Sequence, residues 1–314
     1  MGISSPLLLE AIVQFLNPRT DFAFKKIFGS QQNKAILISF LNAFLYEEQP
    51  TIEDLEILDS DPSSPGQGLK NSYLNVKARI TNNKIIMIEI QVLNVLGCKK
   101  QILYNTAKTF SDQIQSCADY YDNFYPVIGL TITDFLLFPH SKVISHYGFK
   151  EANDLPYDED EHIELVFVEL PKFSKSLEAL ETLTDRWIYF LREAENLNLI
   201  PESFMASPLR QALEIANLSG LSPEELETVE RTEIFIRDNQ NAIAYAQMVA
   251  MEEGMREGLQ KGMEQGMEQG QRLKAEAIAR SLLGQLPLET ISQATGLSLE
   301  DLQNLRDSNP PPSP

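Results

Sequence analysis

Residues 73–93 read YLNVKARITNNKIIMIEIQVL. A period of two runs through both halves: Leu74, Val76, Ala78 and Ile80, then Ile86, Ile88, Ile90 and Val92. Such alternation predicts two strands, over 73–80 and 84–93, each with one apolar face. A slip of one residue turns every side chain of a strand over. Bringing both apolar sets to one side therefore requires an odd-length loop, most simply Thr81-Asn82-Asn83. Asparagine tolerates the left-handed backbone that such a loop needs. This register sets Asn75 opposite Glu89, with Lys77 and Gln91 on the same face.

Upstream, Thr20 and Asp21 are good helix N-cap types, Phe24, Ile27 and Phe28 follow at helical spacing, and Gly29 is a C-cap. A second helix over 33–46 carries Ile36, Leu37, Phe40, Leu41 and Phe44 on one broad face. Residues 60–72, rich in Pro, Gly and Ser, read as a surface loop. Downstream, 99–120 is an amphipathic helix, 126–138 a buried strand with an exit, and 163–170 another strand. Helix, hairpin, helix, strand, strand predicts an α/β fold, a mixed sheet flanked by helices. Residues 174–250 read as mostly helical, broken at Pro201, Pro208 and Pro223.

The 314 residues carry 45 acids against 26 Lys and Arg, a net charge of -19. That balance argues against broad, non-specific nucleic-acid binding but leaves room for a local basic groove. Residues 151–170 hold eight acids and no Lys or Arg. At 43% hydrophobic, the chain has material for a core. It has no uncharged apolar run long enough to span a membrane, and its start lacks the basic region and cleavage site of a signal peptide. Cys98 and Cys117 make no disulfide framework and point to a reducing, cytoplasmic setting. His140, His146 and His162 are scattered, as surface or loop residues, with no zinc spacing.

Gly254, Gly258, Gly262, Gly266 and Gly270 recur every fourth residue, each followed by Met255, Leu259, Met263, Met267 or Gln271. Each glycine inside a helix costs about 1 kcal/mol relative to alanine. Close approach of a second helix offsets such a cost, so the repeat predicts a homo-oligomer formed through a long helix at 239–283; a partly helical tether is the plainer alternative. Two short helices follow within 284–307, in helix-turn-helix style, and a Pro-rich end at 308–314 reads as disordered. The last helix, SLEDLQNLRD, has three acids and one Arg, which suits protein contact better than DNA reading.

The chemistry lies on the hairpin. Glu89 and Gln91 project together from one strand. A carboxylate inside IIMIEIQVL is costly unless it meets a cation or a donor. Carboxylate and amide oxygens suit a hard divalent ion, which polarises a phosphodiester and acidifies an attacking water. An ordinary alternative has Glu89 paired with Lys77 or Arg79 across the hairpin, and Asn75 and Gln91 as polar residues of a half-exposed strand. For Asp21 and Lys25 it is a helix cap and its i,i+4 partner.

The ordered set TDFAFKKIFGS, ILISFLNAFL, YLNVKA, IIMIEIQV, LYNTAKTFSDQI, YPVIGLTITDFLLFP and IELVFVELPKF resembles the recombination-promoting nuclease/transposase family of the PD-(D/E)xK superfamily. The resemblance runs over about 17–238. It implies a restriction-endonuclease-like core and Mg2+-dependent DNA cleavage (Mn2+ substituting), with a role in recombination. Glu89 matches the family's metal-binding Glu, and Gln91 its E-x-Q form, where the wider superfamily has Lys. Asn75 stands where the family has a metal-binding Asp, a departure that removes one charge from the ligand set. The metal would then be held by Glu89, Asn75 and the backbone carbonyl of Ile90, with Gln91 orienting water. Asp21 and Lys25 fall in the family's first block and are candidate site residues. Gln101 replaces a usual basic residue; Lys99 and Lys100, with Lys77, are candidate DNA contacts. A catalytically inactive descendant acting as an interaction module is the competing expectation, and Asn75 favours it.

Overall fold

The computed structural model describes residues 14–58, 76–115, 124–149, 162–205 and 207–308. Six strands form one sheet: β1 (Leu55–Leu58), β2 (Val76–Ile80), β3 (Ile85–Gln91), β4 (Val127–Thr133), β5 (Ile144–Gly148) and β6 (Ile163–Glu169). Their order is β1-β2-β3-β4-β6-β5. β1, β2 and β3 are antiparallel neighbours, β3, β4 and β6 run parallel, and β5 closes the far edge antiparallel to β6. The mixed sheet flanked by helices is the expected one.

The hairpin follows the predicted register. Val76 faces Ile88, Lys77 faces Met87 and Arg79 faces Ile85. The Ile80 amide donates to the Lys84 carbonyl at 3.0 Å, leaving Thr81-Asn82-Asn83 as the loop. Asn83 has φ of 63°, the left-handed residue that such a three-residue loop requires.

One face of the sheet is apolar. Ile86, Ile88 and Ile90, with Ile128, Leu130 and Ile132 of β4 and Val166 and Val168 of β6, join the main core. Helices α1 (Asp21–Phe28), α2 (Lys34–Leu45), α4 (Leu183–Glu193) and α5 (Pro208–Ala216) supply the other side of that core. Phe28, Phe40 and Trp187 pack ring on ring within it, with centroids 4.7–5.8 Å apart. Thr20 caps α1 by accepting from the Ala23 amide. Gly29 ends it, donating to the Lys25 carbonyl at 2.8 Å.

The opposite face is covered by α3 (Cys98–Ser111), the crossover that a parallel β3–β4 pair demands. Cys98 and Ile102 pack there with Phe167. Contact is close at Gly129, where an added Cβ would lie 2.4 Å from the Thr106 hydroxyl oxygen. Because both faces are covered, β3 and β4 are buried along their whole length.

The chain divides into two compact units, Met1–Gln240 and Asn241–Pro314. Helix α6 (Pro223–Leu282) runs unbroken through all five repeat glycines. In the second unit, Ala279 packs with Ile291 of α7 (Leu288–Thr295) and Leu302 of α8 (Leu299–Asp307) in a small core. Gly296, at φ 75°, makes the turn between α7 and α8. No helix among the described residues is long and apolar enough to cross a membrane.

Candidate active site

The α3 face of the sheet carries the polar residues. The ladder places Glu89, Thr131 and Phe167 in one row across β3, β4 and β6, and Gln91, Thr133 and Glu169 in the next. Glu89, Thr133 and Glu169 have no solvent exposure, and Gln91 has 3%. Gln91 is therefore buried, not on a half-exposed strand, the plainer expectation.

Glu89 is the centre of this face. Asn105, from the middle of α3, donates its side-chain N–H to Glu89 Oε1 at 2.8 Å. Burial pushes the Glu89 carboxyl above its ordinary range, while the amides of Asn105 and Gln91 and the Lys77 ammonium pull it back. Lys77 sits diagonally from Glu89 on the neighbouring strand and is half-buried. The diagonal Lys77–Glu89 relation foreseen for the hairpin is present, but Asn105 makes the direct bond.

Ile90 turns its side chain to the apolar core, with 3% exposure. Only its carbonyl remains as a ligand. The Ile80–Lys84 bond sets the ladder alternation, which turns the backbone of residues 86, 88 and 90 toward β2. Asn75 precedes the first described residue of β2 and lies outside the described residues. Cys117, the whole 60–72 loop and residues 151–161 of the acidic run also lie outside the described residues.

Asp21 and Lys25 form an exposed i,i+4 pair at 3.5 Å on α1. That helix packs into the core on the sheet face away from Glu89. The structure groups Glu89, Gln91 and Lys77, and leaves Asp21 and Lys25 with each other. Lys99 and Lys100 are exposed in the first turn of α3. Lys99 Nζ stands 4.4 Å from the centre of the Phe138 ring. Cys98 is buried, and burial raises its thiol out of the reactive range.

Three participants escaped the sequence reading. Asn105 falls on the buried stripe of α3, three residues after Ile102, and an amide on an apolar stripe was the signal. Glu169 ends β6, and Lys172 forms an ion pair with it. Burial pushes the Glu169 carboxyl up, but Lys172 and the amides of Leu137 and Phe138 outweigh that and hold it below the usual range. His140 lies in the loop after β4, as expected, and its ring stands 3.3 Å from Ser145 Oγ and 3.4 Å from Lys172 Nζ.

Among the described residues, no three His, Cys, Asp or Glu side chains are grouped as a ready metal cage. Glu169 is committed to Lys172, and Asp134 to Arg19 at 2.9 Å. Among the described residues the hairpin offers one buried carboxylate, Glu89, and one backbone carbonyl, Ile90. Both are hard oxygen donors. The set fits an ion such as magnesium, which takes one or two carboxylates and fills its sphere with water and substrate phosphate.

No curated protein and no solved structure matches this chain. A family model described as PD-(D/E)XK nuclease family transposase matches residues 18–246, which contain the whole sheet and α1 to α5, and the chain belongs to that nuclease family.

Proposed function

We propose that this chain is a magnesium-dependent DNA endonuclease that hydrolyses phosphodiester bonds and serves recombination. Nucleases of this superfamily generally use divalent metal ions. The observation that carries the reading is Glu89: a fully buried carboxylate on a strand whose other residues are isoleucine, methionine and Gln91, held by Asn105 at 2.8 Å. A structural role alone does not offset that burial as well as a bound cation does.

In this reading Glu89, the Ile90 carbonyl and the Asn75 amide oxygen hold the ion. When bound, Mg2+ supplies Lewis-acid polarisation of the phosphoryl group and lowers the pKa of water. Gln91 orients the attacking water with its amide; lacking a basic group, it takes no proton. Asn105 fixes the Glu89 carboxylate. Lys77, Lys99 and Lys100 meet the phosphate backbone. Replacing an Asp by Asn75 removes one negative charge from the ligand set, so the ion binds more weakly than in a two-carboxylate site.

Supercoiled plasmid with Mg2+ or Mn2+ tests this, using native protein, Glu89→Ala and Asn75→Asp side by side. Native nicking that Glu89→Ala abolishes supports the nuclease. Cleavage only by Asn75→Asp makes the native chain an inactive homologue, the second reading, which Asn75 itself favours. Silence from all three removes the nuclease reading.

Self-association through α6 belongs to the same proposal. Met255, Leu259, Met263 and Met267 are 62–75% exposed, and the helical glycines among them meet nothing. A second copy of the helix covers that stripe. Equal oligomeric state for the full chain and a chain ending at Asn239, by light scattering, would overturn it.

A further inference from the structure

We infer that the α3 face also carries a docking ledge for an unpaired nucleobase, two strands away from Glu89. This rests on the nuclease reading for the cleaved bond; of the residues it uses for binding, Lys99 alone is shared with that reading. Phe167 shares a row with Glu89 through Thr131, so the two stand about 10 Å apart at ordinary strand spacing. Phe138 packs edge-on against Phe167, with centroids 5.1 Å apart. Tyr147 and His140 are both stacked with Phe138, at 5.0 Å and 26° and at 5.5 Å and 12°. Tyr147 is 39% exposed. Beside the rings opens a cavity of about 460 Å3, walled by Phe138, Pro139, His140 and Lys172. That volume suits a small planar ligand.

The charges select the ligand. Lys172 is neutralised by Glu169, so the cavity is no simple anion trap. Lys99 is exposed, lies over the Phe138 ring, and stands on the helix that holds Asn105 against Glu89. Tyr147 is the exposed ring of this cluster, and an exposed aromatic ring with a cation nearby is the pattern that binds single-stranded nucleic acid. A duplex base is already stacked and paired, and offers no free face. The ledge therefore receives an unpaired base near the bond at Glu89. The substrate class it selects is DNA with an unpaired stretch at the cut.

The test measures binding apart from cutting. Fluorescence anisotropy in EDTA compares a labelled single-stranded oligonucleotide with the same sequence as duplex, on the full chain carrying Glu89→Gln. The expected result is tighter single-strand binding. Adding Tyr147→Ser should weaken it about fivefold or more, Tyr147→Phe should leave it unchanged, and neither should alter duplex binding. His140→Ala, in the loop after β4, should weaken it about twofold or more without altering duplex binding, so the test survives should Tyr147→Ser fail to fold. Equal or tighter duplex binding overturns the ledge, as does single-strand binding that neither Tyr147→Ser nor His140→Ala changes. Plasmid nicking by the native chain is scored separately. Nicking with an insensitive Tyr147 and His140 removes the ledge alone; a sensitive ledge without nicking removes the nuclease alone.

Discussion

The two faces of β3 are built from alternate residues of the same seven, yet they live in opposite chemistry. One face, Ile86, Ile88 and Ile90, meets isoleucine, leucine and valine on its neighbours and aromatic helices beyond. The other, Met87, Glu89 and Gln91, meets Gly129, Thr131 and Thr133, and then a single crossover helix. The first is a core that many apolar sequences would satisfy. The second puts a carboxylate where burial opposes its charge, and answers with an amide at 2.8 Å. Stability is concentrated on one side of the strand and the candidate chemistry on the other.

The largest expected effect lies on the apolar side. Ile88→Ala should lower stability by about 2–5 kcal/mol in urea unfolding. A loss well under 1 kcal/mol would mean that the two faces share the load more evenly than their composition indicates. On the polar side, Asn105→Ala should cut plasmid nicking about 10- to 100-fold, as loss of a ligand's supporting partner does, while moving the melting temperature little. Unchanged nicking in that variant would reduce Asn105 to packing.

Gly129→Ala sharpens the comparison, since its Cβ would press on Thr106 and push α3 off the sheet. Overpacking of this kind costs about 1–3 kcal/mol, and here it should lower nicking as well. The smallest effect is a pH signature in metal-free buffer. The folded Glu89 carboxyl titrates above its unfolded value. Across that window the folded state binds more protons, so stability present at low pH is lost as pH rises through the raised value. Glu89→Gln should therefore unfold at higher temperature than native near neutral pH and show no such gain in acid. Parallel melting curves for both proteins at all pH values would contradict the buried, charge-averse setting of Glu89.

Much of the apolar side was legible. Period-two alternation and an odd loop were enough to place Val76 against Ile88 and to call for a left-handed residue in the loop, which the structure shows to be Asn83. The helical stripes of α1 and α2 were equally plain, because burial repeats on them at fixed spacing. β1 and β5 were missed: they are edge strands of four and five residues, too short for a periodic signal, and β5 (ISHYG) is half polar. The predicted strand over 126–138 stops at Thr133. The resemblance supplied Glu89 and Gln91 as a pair. Neither source supplied Asn105 or the Glu169–Lys172 pair. Asn105 lies 16 residues from Glu89 and was marked only by an amide on an apolar helical stripe, while Glu169 and Lys172, three residues apart, meet across the turn that ends β6, outside any periodic pattern. For Asp21 and Lys25 the resemblance suggested a site and local spacing an i,i+4 pair, and the structure pairs them.

The short separation between Glu89 and Asn105 also bears on the order in which the molecule takes shape. Closing a loop costs entropy that grows with its length, and contacts near in sequence are met first in a collapsing chain. β2, β3 and α3 form one continuous stretch, whereas β6 must wait for the long excursion through β5 before it can join β4. The hairpin and its covering helix can meet while the distant half of the sheet is still unmade. A nascent chain thus reaches the geometry around its central carboxylate early, and the edge with the aromatic rings is added last.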